Sequence, residues 1–303
     1  MRLLTGPGSL LALFLTSTLG LAAPAAAQSA SPQKPWTLEE LFRRNVGTRD
    51  EQMTAFPPHK VIDNVWYVGT YSLASYLITT PQGHILINSS YEANVPVILG
   101  SVATLGFKIS DIKIILGSHA HGDHMEGDAA MKMLTGGAQV MAMEQDVPAL
   151  QKMMPGGKPH PIDRVLKDGD TVALGGTTLT AHLTPGHTKG NTTWTMKATD
   201  GGRTLDVVII GSAGVNPGFQ LVNNKDNPQI ADEYKQTFKV LRSLPCDVPL
   251  ASHGAMYNMP DKFKRIGASP NPHIDPAGYK AELDVVEKVF LDTLAAQQKA
   301  AGK

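Results

Sequence analysis

From residue 61 onward the chain alternates between short runs of β-branched and aromatic side chains and longer stretches with helical spacing. Runs at 65–68, 73–80 and 84–88 are rich in Val, Ile, Tyr and Trp and are parted by turns at Gly69 and at Pro81, Gln82 and Gly83, which predicts an antiparallel meander. A helix is expected over 93–105. A continuous apolar strand at 112–116 then runs into a polar cluster at 117–124, with a helical stretch at 128–134 behind it. The second half repeats the rhythm, with strands at 170–174, 177–183, 191–197 and 205–210, a helix at 230–244 and a buried strand at 248–252. The tail at 276–300 carries Leu283, Val286, Phe290 and Leu294 on one stripe, with Lys280, Glu287 and Lys288 largely off it, so it should pack across the outside of a sheet. Thr37 and Glu40 have the spacing of a capping box and open a short helix. Two halves of strands followed by a helix, without a third repeat, predict an α/β sandwich and not a solenoid.

The first residues follow a different pattern. Arg2 is the one charge before an apolar stretch from Leu10 to Leu21, and Ala25 and Ala27 complete a small-x-small ending. That is the pattern of a secretory signal peptide over 1–27, which leaves a single domain over 28–303. At about 1.5 Å per helical residue the apolar stretch falls short of a hydrocarbon core of about 30 Å, so a membrane anchor is not expected. Charge adds an exclusion: 27 basic and 27 acidic residues leave no basic field for nucleic acid or an anionic membrane, while 42% apolar residues are too many for a disordered chain. No protein partner is implied. The chain has one cysteine, Cys246, so neither an internal disulfide nor a thiolate cluster is available. Metal chemistry, if present, rests on the ten histidines and the carboxylates.

Four of those groups stand within six residues. His119, His121, Asp123 and His124 have the spacing HxHxDH, directly after a buried strand. Residues two apart on extended backbone project to one side, so His119 and His121 can hold one ion, while Asp123 and His124, at the start of a helix, are offset toward a second. His187, in Thr184-Pro-Gly-His-Thr188, and His253, in Ala251-Ser-His-Gly254, each follow a strand. The six together suit two zinc ions that each keep three protein ligands and an open position. His59, His84, His160, His182 and His273 have no such context, and His182 falls on the polar face of its strand.

This motif set, over roughly residues 61–272, resembles the metallo-β-lactamase superfamily, whose fold is a four-layer αββα sandwich of two similar halves. Branches of the superfamily differ at the residue after the strand at 205–210, where several carry a metal-bridging Asp and the subclass B1 lactamases a ligand Cys. This chain has Gly211-Ser212-Ala213, which is similar to subclass B3. The resemblance implies a periplasmic enzyme that opens the β-lactam ring of penicillins, cephalosporins or carbapenems by water attack, with no covalent intermediate. It assigns His119, His121 and His187 to one zinc, and Asp123, His124 and His253 to the other. Asp123 is then also the catalytic residue that orients the water, and Ser212 is expected to contact substrate. Two positions depart from the family pattern. Gly214 replaces a second hydroxyl residue, and Asn88, expected beneath the HxHxDH loop, replaces an Asp. A lactonase or thioesterase on the same site, and metal binding without catalysis, are the competing readings.

Overall fold

Twelve strands assemble into two sheets in the computed structural model, which describes Leu3 and residues 35–302. The expected leader at 1–27 lies, Leu3 apart, outside the described residues. The first sheet has the order β1 (His59–Ile62), β2 (Val65–Tyr67), β3 (Tyr76–Thr80), β4 (Gly83–Ile87), β5 (Ile112–Leu116), β6 (Gln139–Met143) and β7 (Arg164–Leu166). The second runs β12 (Val248–Ala251), β11 (Arg203–Ile210), β10 (Thr192–Asp200), β9 (Thr177–Leu183), β8 (Thr171–Leu174). The helices in chain order are α1 (Leu38–Val46), α2 (Arg49–Met53), α3 (Val95–Thr104), α4 (Gly122–Met125), α5 (Asp128–Leu134), α6 (Val147–Leu150), α7 (Ile230–Ser243), α8 (Met259–Phe263) and α9 (Pro276–Ala300). None of them is long and apolar enough to cross a membrane.

Strand alternation explains the layers. On β4, Ile85 and Ile87 point to the shared interior with Leu179, Ala181 and Trp194 of the second sheet, while Leu86 points the other way, to Ile98 and Val102 of α3. Both faces of the first sheet are therefore covered, and its central strands read as unbroken apolar runs. On the second sheet, Tyr234, Phe238 and Leu241 of α7 and Leu283, Val286 and Phe290 of α9 close the outer layer. Helix, sheet, sheet and helix are stacked as the αββα sandwich requires.

The halves share a topology as well as a composition. Each begins as an antiparallel meander, β1 to β4 and β8 to β11, and then adds parallel strands by helical crossovers, β4 to β5 through α3 and β11 to β12 through α7. Such crossovers bring consecutive strands out on the same edge, which is where ligands collect in open sheets. Four strands differ from the sequence expectation. β1, β6 and β7 were not anticipated, and the strand expected from residue 73 begins at Tyr76, because Leu73 instead forms an isolated bridge with His253.

Trp194 on β10 ties the two sheets together beneath the polar cluster. It is fully buried, and its indole N–H donates to the Gly117 carbonyl at the end of β5, 3.1 Å away. Gly117 has no side chain because a Cβ there would meet Met125 Sδ at 2.3 Å, so the residue lets α4 close over the strand end. Trp194→Phe should remove the donor, leave a small void and lower stability by about 2 kcal/mol. The check is a lower urea midpoint with an unchanged m-value; an unchanged midpoint would contradict the role given to the indole.

Candidate metal centre

The six anticipated residues come from three separate loops and converge. His119 follows β5, and His121 caps α4 in extended backbone (φ −114°, ψ 152°), so Asp123 and His124 start the helix turned away from the first two. His187 lies between β9 and β10, and His253 directly after β12. The rings of His119, His121 and His187 stand 4.5 to 4.8 Å apart, centroid to centroid. Asp123 Oδ2 lies 3.3 Å from His124 Nε2 and 3.6 Å from His253 Nε2, and the His124 and His253 rings are 5.0 Å apart. Ligand atoms of His119, His121 and His187 lie within 4.8 Å of one another, as do those of His119, Asp123 and His124. His119 thus stands between two donor sets.

Burial fixes the protonation of these groups. It holds the His119 pKa well below the ordinary imidazole value, with repulsion from the other imidazoles adding to the effect, and it brings His124 and His187 down to about 3. His253 is lowered for the same reason. Burial works against the Asp123 carboxylate, but the surrounding imidazoles, His124 and His253 foremost, outweigh it and hold the pKa below the usual value. Neutral imidazoles and an ionised carboxylate are the forms that bind a cation.

Their lone pairs have little else to do. His119 Nε2 and both nitrogens of His124 are buried without a hydrogen bond, a state that costs roughly 1 to 3 kcal/mol per group unless something else binds there. His187 Nδ1 donates to the Gly214 carbonyl at 2.8 Å, which turns its Nε2 toward the cluster, as metal-binding imidazoles are commonly held. Nitrogen and carboxylate donors, buried and unsatisfied, fit a divalent transition metal.

The supporting residues show what sequence reading reached and what it did not. Asn88 lies beneath the loop: its Oδ1 accepts from Ser118 N at 2.9 Å, and its Nδ2 donates to the Ala74 carbonyl at 3.2 Å. It also takes the left-handed conformation (φ 63°), so it shapes a turn and supports the loop at once. A carboxylate here would place an oxygen against the Ala74 carbonyl. Ser212 faces the cluster in a cavity of about 210 Å³ lined also by His121, Asp123, His187 and His253, and its Oγ accepts from Gly214 N at 3.4 Å.

Asp146 was missed. Its carboxylate accepts from Ala120 N at 2.8 Å, from Gly190 N at 2.7 Å and from the Thr188 hydroxyl at 2.8 Å, joining the loop of His119 and His121 to that of His187. Gly190 permits this approach, since a Cβ there would sit 2.5 Å from Asp146 N. The one sequence signal is an acid just after the buried strand β6, and β6 itself was not anticipated. His160 was set aside, yet its Nε2 sits 3.0 Å from the Met125 carbonyl and 3.2 Å from Asp128, fully buried beneath α4. His182 bonds to the Thr195 hydroxyl at 2.8 Å, and His59 stacks on His273 at 6.0 Å.

Comparison with known proteins places this geometry. Residues 69–253 match the model of the metallo-beta-lactamase superfamily. The native FEZ-1 metallo-beta-lactamase from Legionella gormanii is 46% identical, with a TM-score of 0.77 over 81% of this chain and 98% of that one. BJP-1, a subclass B3 metallo-beta-lactamase of Bradyrhizobium japonicum, is 37% identical, with a TM-score of 0.76 over 83% and 98%. The class B3 di-zinc metallo-beta-lactamase LRA-12 from an Alaskan soil metagenome is 31% identical, with a TM-score of 0.75 over 81% and 97%. A hydroxyacylglutathione hydrolase from Polaromonas sp. strain JS666 is 30% identical over 130 residues, 42% of this chain, and the match spans less than half of that enzyme's length, 44%. The chain belongs to the metallo-beta-lactamase superfamily, and it resembles the subclass B3 members in structure.

Proposed function

We propose that this protein is an exported β-lactamase that holds two zinc ions and opens the β-lactam ring of penicillins, cephalosporins or carbapenems. The observation that carries the reading is the donor set itself, four imidazoles and one carboxylate in two overlapping groups at the strand ends, with His253 beside the carboxylate. His119, His121 and His187 would hold one zinc, and Asp123, His124 and His253 the other. When bound, zinc supplies Lewis acidity, which polarises a carbonyl and makes water a nucleophile near neutral pH.

The protein's own groups do the rest. Asp123 lines the cavity, partly exposed, and its carboxylate can accept a hydrogen bond from water and so orient the attacking lone pair. His187 is locked by the Gly214 carbonyl, so its ring needs no reorientation as substrate arrives. The position after β11 carries Ser212, an alcohol in place of a metal-bridging carboxylate, and its hydroxyl is free to meet substrate. The leader pattern at 1–27 supports export to the periplasm, where such substrates are met.

Purified mature protein offered a penicillin, a cephalosporin, a carbapenem, a lactone and a thioester should open the β-lactams. A chelator should abolish turnover and added zinc restore it. Turnover of the thioester or lactone with no β-lactam opened would overturn the reading in favour of the activity named for the Polaromonas enzyme or a related one.

Asp146 preorganises the site by fixing the spacing of the loops that carry His119, His121 and His187. Asp146→Ala should weaken zinc binding by about 10- to 100-fold, the usual effect of removing a group that holds metal ligands in place. Competition with a chelating dye measures it, and an unchanged dissociation constant would contradict the role.

A further inference from the structure

Asn45 is a buried amide in the last turn of α1, a poor choice for a helix interior unless its side chain has a task. Its Oδ1 accepts two hydrogen bonds from Arg44, from Nε at 2.9 Å and from Nη2 at 2.8 Å. Arg44 is in turn held by Glu282 of α9, through Nη1 at 2.9 Å and through Nη2. A guanidinium can only donate, so the oxygen of the amide must face it. The NH2 group is thereby turned the other way, into the cavity that Asn45 shares with Ser212, His121, Asp123, His187 and His253. Among the described residues nothing accepts a hydrogen bond from it.

Gly214 shows what lies opposite. A Cβ at this position would stand 3.9 Å from Asn45 Nδ2 and 3.9 Å from Ser212 Oγ, with no other atom within 4 Å. Its φ is not positive, so the glycine is not required by backbone conformation; what it provides is space. That space is flanked by two donors, because Ser212 Oγ already accepts from Gly214 N and has its hydrogen to give. The carbonyls at the end of α1, which would repel an anion, are engaged elsewhere: that of Val46 by Ser72 and Gln52, that of Arg43 by Gly47 N, while that of Asn45 lies against the His253 ring. The Arg44 cation stands directly behind the amide.

We propose that Asn45 Nδ2 and the Ser212 hydroxyl together hold a carboxylate of the substrate across the space left by Gly214, with Glu282 and Arg44 fixing the direction of the amide. This rests on the β-lactam reading above and assigns the acidic end of that substrate to a residue on the N-terminal helix, a place no metal motif points to. Sequence departure and structure then meet: the hydroxyl missing at position 214 is answered by an amide from another element.

The test compares a cephalosporin free acid with its methyl ester on the zinc-loaded protein, for the parent, Asn45→Ala, Asn45→Asp and Ser212→Ala. Losing a hydrogen bond to a charged group should raise KM for the acid about tenfold in Asn45→Ala, and further in Asn45→Asp, which sets a second oxygen toward the anion. KM for the ester should rise no more than about threefold, and kcat should change little, so the acid-to-ester ratio is the readout. Asn45→Asp keeps the pairing with Arg44 and so the helix, which keeps the test decisive if Asn45→Ala unfolds it, and Ser212→Ala should move the ratio in the same direction. Equal shifts for acid and ester, or a flat ratio in the variants, would overturn the proposal while leaving the β-lactam reading in place. A parent protein that opens neither compound would overturn that reading, and this assignment with it.

Discussion

Burying imidazole nitrogens that have no protein partner, Nε2 of His119, both of His124 and Nδ1 of His253, is the constraint on which the rest of this structure depends. Each unsatisfied nitrogen opposes folding, and six ligand groups on three loops would spread apart if the loops were free. The fold answers with rigid anchorage directly beneath them. Trp194 fixes the end of β5, Asn88 holds Ser118 N, and Asp146 ties the first histidine loop to the second. These bonds end on main-chain groups, so they fix the path of the loops and leave the ring nitrogens available. The sandwich supplies the frame, because parallel strands delivered by helical crossovers in each half place His119 and His253 at corresponding strand ends.

The same anchorage explains how a binding site for a cation coexists with a wall suited to an anion. Imidazoles kept neutral by burial add no positive charge of their own, and Asp123 is the acid that lines the cavity. Opposite it, α1 contributes an amide whose orientation is set by a part-buried ion pair reaching to α9. A hydrogen-bond donor with a fixed direction recognises a carboxylate without competing for the metal, whereas a histidine reaching into the same space would offer it another ligand nitrogen. The N-terminal helix is therefore part of the site as well as of the packing.

Much of this was legible in the chain, for a physical reason. HxHxDH is a local pattern, and His187 and His253 each follow an apolar run whose period marks a strand, so their convergence needs only the topology of two similar halves. Capping by Thr37 and Glu40 is equally local and is present. What escaped is non-local. Asp146 meets partners 26 to 44 residues away, and Arg44 meets Glu282 across 238 residues, distances over which composition and period say nothing. β7 is a three-residue edge strand and β6 is built largely of Met and Ala, so neither carries the β-branched signature that marks the others. Leu73 looked like the start of a strand because it is apolar; it leaves the ladder to pair with His253, a contact that only the closed sandwich can make.

The claim at the centre is that six side chains form two adjoining metal sites, and diffraction locates metals directly. Crystals grown with zinc and measured at the zinc absorption edge should show two anomalous peaks, one among His119, His121 and His187 and one among Asp123, His124 and His253. A single peak at saturating zinc, or a second peak among other residues, would contradict the account.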